Sequence, residues 1–136
     1  MSESFWVIPA EVKEKSPLTM LREQASALSE ATGGLLRGEV STRKWLNGLE
    51  ISLNVVVPAL GNYELELLTY RQPPLMYPGR LVSLLDDQPG INLPAAVGEG
   101  FEIHREQEFA DVLKFILASE KMQKTIAALL AQIREP

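Results

Sequence analysis

A chain of 136 residues with no cysteine and a single histidine cannot carry thiol proteolysis, Cys-x-x-Cys redox chemistry, thiolate zinc or a metal site built on several imidazoles. Its 46% hydrophobic and 23% charged residues are those of a folded domain large enough to bury a core without disulfides. The net charge of -5 argues against a phosphate-binding surface, so nucleic acid is not an expected partner.

Met1–Pro9 lacks the basic start and long apolar core of a secretory signal, and no run approaches the roughly 18 apolar residues of a membrane span. Cytoplasmic residence without membrane association is the expectation. The run Phe5-Trp6-Val7-Ile8, stopped by Pro9, predicts an N-terminal arm over residues 1–15 that packs on the body of a single globular domain, residues 1–136. Ser16-Pro17 is a helix start, a hydroxyl to cap free amides followed by a proline that needs no partner. Leu18, Leu21, Ala25 and Leu28 then recur at helical spacing until Thr32-Gly33-Gly34 closes the helix.

The period next falls from about 3.6 to 2. Leu36–Ser41 predicts a short strand, and Arg43–Gly48 a turn region in which Asn47-Gly48 is the tight-turn dipeptide. Leu49, Ile51, Leu53, Val55 and Val57 alternate with Glu50, Ser52 and Asn54 in the clearest strand, closed by Pro58. A third strand runs from Tyr63 to about Tyr70, with Tyr63, Leu65 and Leu67 opposite Glu64 and Glu66. A rigid Gln72–Gly79 connection leads to a fourth over Leu81–Leu85. Asp86–Gly90 predicts a turn, 91–100 a loop, and Phe101–Arg105 a short fifth strand with Phe101 and Ile103 inward and His104 outward.

Helical spacing returns from Glu106, with Phe109, Val112, Leu113, Ile116 and Leu117 on one face. Ser119 caps a last helix carrying Met122, Ile126, Leu129, Leu130 and Ile133. Strands joined by short turns favour an antiparallel meander, and the helices must cover its apolar face. The expectation is a two-layer α+β domain with an N-terminal helix, four to five strands and two C-terminal helices. A small closed barrel is the alternative.

No catalytic motif stands out. His104 with Glu102, Glu106 and Glu108 is the nearest to one, since His104 and Glu108 fall at i, i+4; the plainer reading is a strand end and an acidic first helical turn. Asp86-Asp87 lacks the spacing of a calcium loop, and neither Gly33-Gly34 nor Gly98-Glu99-Gly100 cradles phosphate. Neither a metal nor a cofactor is expected. Arg43-Lys44-Trp45 and the Thr69–Gly79 segment supply the residues suited to an interface: Trp45, Tyr70, Arg71, Met76 and Tyr77. The expected function is a non-enzymatic protein-interaction or accessory domain with a protein partner or self-association. The alternatives are a small-ligand-binding module, an immunity-type inhibitor of a basic partner and an enzyme built on carboxylates and His104.

Overall fold

The computed structural model describes residues 3–85 and 100–134. Helix α1, Pro17–Ala31, begins where its cap dictates: Ser16 Oγ accepts the Thr19 amide at 3.1 Å, and Pro17 occupies the first turn. Met20, Leu21 and Ala25 form its buried stripe. At its end Thr32 Oγ1 donates to the Leu28 carbonyl and accepts the Leu36 amide, while Gly33 and Gly34 turn the chain through positive φ.

Five strands follow, β1 (Arg37–Trp45), β2 (Gly48–Val57), β3 (Tyr63–Gln72), β4 (Gly79–Ser83) and β5 (Phe101–Ile103). Each runs antiparallel to the one before, so spatial order equals chain order. Helices α2 (Glu106–Leu117) and α3 (Glu120–Arg134) complete the chain. Helix α1 lies over β1 and β2, α2 over β4 and β5, and α3 packs on α2. The expected two-layer α+β meander is therefore present, and it is an open sheet with β1 and β5 at opposite edges. The core lies between the layers, where Ile51, Leu53, Val55, Leu68 and Tyr70 meet Leu21, Phe109 and Leu113. Tyr70 and Phe109 stack edge to face at 4.8 Å. Among the described residues no helix is long and apolar enough to cross a membrane.

Four details depart from the expectations. Strand β1 continues through Arg43, Lys44 and Trp45, so the turn is only Leu46–Asn47. Leu46 takes the positive φ of 52°, and Gly48 serves a different purpose: a Cβ there would strike the Gln72 carbonyl on β3. Strand β3 contains a bulge, since Leu53 pairs with Leu68 but Asn54 with Glu66, leaving Leu67 unpaired between them. Strand β4 is Gly79–Ser83, displaced toward the loop before it. Finally, the arm does not pack on the body: Phe5, Trp6, Val7 and Ile8 are 91%, 83%, 91% and 74% exposed. Only its root is tied down, where the Lys15 amide donates to Glu106 Oε1 at 2.7 Å and Lys15 Nζ pairs with Glu23. The Asp86–Gly90 turn and residues 91–99 lie outside the described residues.

Candidate functional site

Among the described residues all three helices lie on one side of the sheet and none covers its other face. Register alone assembles its central row, because Arg43, Glu50, Arg71, Arg80 and Glu102 stand directly opposite one another across the five strands. Directly paired positions on one face bring their side chains within reach. Glu50 is only 2% exposed, yet it is covered by its partners and not by core. Oε1 accepts Arg43 Nε and pairs with Arg43 Nη2, and Oε2 accepts Arg71 Nε at 2.8 Å. The Arg71 guanidinium also lies 5.1 Å from the centre of the Trp45 ring, so one arginine links carboxylate and indole.

A second row backs the first. Glu66 Oε1 accepts both Ser52 Oγ and Thr69 Oγ1 at 2.8 Å, and Asn54 Nδ2 donates to Ser41 Oγ at 3.2 Å. The bulge at Leu67 makes this possible, because it places Glu66 and Thr69 on the same face although they are three residues apart. Above these rows lies a groove of about 1070 Å³, walled by Trp45, Arg71, Pro73, Pro74, Arg80 and Val82.

Burial pushes the Glu50 carboxyl up, but hydrogen bonds from Arg71 and Arg43, together with their charges, outweigh it and hold its pKa below the ordinary carboxylate range. The folded chain therefore takes up this proton less readily than the unfolded chain. The stabilisation is complete above the ordinary carboxylate range and is lost as pH falls through the lowered value. Because Arg43 and Arg71 are 74% and 46% exposed, water screens much of the attraction, and Glu50→Gln is expected to cost only about 1–2 kcal/mol near neutrality. Thermal melts from about pH 7 to about pH 3 should show the two proteins converging in acid. A gap that persists unchanged to the lowest pH would contradict the ion pairing.

The five interface residues expected from the sequence separate. Trp45 and Arg71 come together in the groove. Tyr70 points to the opposite side and is fully buried, its hydroxyl donating to the Met76 carbonyl at 2.7 Å, so it cannot touch a partner. Met76 is half-buried at φ 75°, held by that bond and by its own amide to the Pro73 carbonyl. Tyr77 is half-buried against the core, and its hydroxyl has no partner among the described residues. Burial, then the negative charges of Glu106 and Glu14, pushes its pKa up to about 12, so it stays neutral. Sequence reasoning missed Arg43, Glu50 and Arg80 as site residues. The usable signal was Glu50 itself, a charge in the middle of the clearest strand.

His104 faces outward, as expected, and is half exposed. Its amide donates to Glu108 Oε1 at 3.1 Å, Nδ1 lies 3.2 Å from the same oxygen, and Nε2 lies 3.6 Å from Glu102. Hydrogen bonds from the His104 backbone and ring lower the Glu108 pKa. This ties the end of β5 to the first turn of α2. Among the described residues no three His, Cys, Asp or Glu side chains gather as metal ligands. Comparison of the chain with protein-family models, curated proteins and solved structures gives no match.

Proposed function

We propose that the chain is a non-enzymatic protein-interaction domain that receives a partner's segment in the groove on the open face of its sheet. One observation carries the reading: the groove has an indole and prolines for walls, and its central carboxylate is already engaged by two guanidiniums. Trp and Arg at the centre of a concave surface are the usual anchors of recognition. Proton transfer near neutrality needs a carboxyl whose pKa is raised toward 7, and that of Glu50 is moved the other way. Cytoplasmic residence, the absence of a cofactor and a partner that is neither nucleic acid nor membrane belong to the same proposal.

Affinity capture with the wild-type chain, Trp45→Ala and Arg71→Ala tests it. The expected result is a protein retained by the wild type whose affinity falls at least about tenfold with Trp45→Ala, while the variant's fold is unchanged by circular dichroism. If both variants retain the same proteins as strongly as the wild type, the groove is not the interaction surface.

A further inference from the structure

We propose that a second copy of this chain completes the sheet: the arm of each molecule adds as a strand to the free β1 edge of the other. This extends the interaction reading to self-association through a different surface, and it does not depend on the groove.

The edge is defined by its hydrogen bonds. The Gly38 amide donates to Ser29 Oγ at 3.0 Å, away from β2. The two-residue turn makes Trp45 and Gly48 a mutually bonded pair, so the odd-numbered residues of β1 face β2. The amides and carbonyls of Val40, Thr42 and Lys44 therefore point outward, beyond the stretch that α1 covers at Gly38. An edge of this length presents a template for a further strand, and none of the described residues fills it. The opposite edge, β5, is only three residues long.

The arm supplies what this edge lacks. Phe5–Ile8 consists of β-favouring residues with no ladder partner, and Pro9, which has no amide hydrogen, ends any pairing there. Its four apolar side chains present on the order of 600 Å² to water, with each aromatic contributing about 150–250 Å². Exchanging two arms would cover at most on the order of 1,200 Å² of arm surface, to which the β1 edges they meet add their own, against about 1,200–2,000 Å² in stable interfaces. Charge agrees at the outer end of β1: Glu3 and Glu11 bracket the apolar run, and Lys44 has no ion-pair partner among the described residues, whereas Arg37 and Arg43 are paired with Glu39 and Glu50. Residues 3–15 reach roughly 40 Å when extended, enough to pass from the start of α1 to a neighbouring molecule. Reciprocal exchange closes a two-fold dimer.

Sedimentation equilibrium from micromolar to millimolar protein provides the test. The full wild-type chain is expected to approach twice its 15.1 kDa mass. A Trp6→Ser, Ile8→Ser double variant is expected to stay monomeric, with the melting temperature the wild type shows when diluted to monomer, since the arm adds nothing to its own core. Trp45→Ala should leave the dimer intact, which separates this proposal from the groove. Thr42→Pro removes an outward amide and should also give a monomer. Should that variant fail to fold, hydrogen exchange of the wild type replaces it, with Val40, Thr42 and Lys44 expected to gain protection as the dimer forms. A wild type that stays monomeric, a dimer that survives the arm substitutions, or an arm protected within a monomer would each overturn the proposal.

Discussion

Gly38→Ala is expected to destabilise the protein by about 3 kcal/mol or more, lowering the melting temperature by on the order of 10 °C. A Cβ at Gly38 would lie 2.5 Å from Ala25 Cα and 2.7 Å from its carbonyl carbon, as well as against its carbonyl oxygen. These are backbone atoms in the middle of α1 and cannot swing aside as a side chain can. The helix would have to rise from β1, which would also break the Gly38 amide bond to Ser29 and open the contact that buries Leu21 and Ala25. Gly33→Ala is the control. It has no atom within 4 Å of the added Cβ and pays only for its φ of +60°, about 1 kcal/mol. Equal effects from the two variants would show that α1 does not sit on β1 as closely as this.

Tyr70 is expected to give the second large effect. Tyr70→Ala removes a fully buried ring from the contact with Phe109 and should cost about 3–5 kcal/mol. Tyr70→Phe keeps the ring and should cost about 1–2 kcal/mol, because only the hydroxyl bond to the Met76 carbonyl is lost. The two variants also separate packing from loop control. The hydroxyl lies where a Cβ at Gly79 would fall, and it holds Met76 in its left-handed conformation. Hydrogen exchange at Leu75, Met76 and Tyr77 should therefore quicken in Tyr70→Phe even though the core persists. Pro73 and Pro74 belong to the groove wall, so the same substitution should loosen the site without touching it.

The elements read most easily from the sequence were those with a local physical cause. Ser16-Pro17 caps α1, Ser119 Oγ accepts the Met122 amide at the start of α3, and Ile51, Leu53, Val55 and Val57 of β2 enter the core as expected, although Glu50, Ser52 and Asn54 on its other face are buried too. The site was less legible because it depends on register, which is a relation between strands. Taking Asn47-Gly48 as the centre of the turn would set Trp45 opposite Glu50. The observed centre, Leu46–Asn47, sets Arg43 there and creates the ion pair. Glycine at 48 is explained by the approach of β3, a tertiary demand that the dipeptide does not reveal. Arg43 and Lys44 broke the alternation expected of a strand, although Arg43 is held there by a carboxylate seven residues away. Tyr70 and Arg71 were adjacent candidates, and a strand necessarily sends neighbours to opposite faces.

The bulge at Leu67 also governs how the chain can change its length. It inverts the phase of β3 part-way along, so that Leu65 and Tyr70 both reach the helical layer while Glu64, Glu66 and Arg71 reach the open one. Drawing Leu67 into the ladder would swap the two sides of everything before it, driving two carboxylates inward and a leucine out into water, whereas loss of Leu67 itself would leave a regular ladder with every side kept. Added residues at Gly61–Asn62, a turn where no atom crowds the glycine, would leave both sides as they are. Insertions and deletions in this protein are therefore a matter of parity inside β3 and of little consequence just before it.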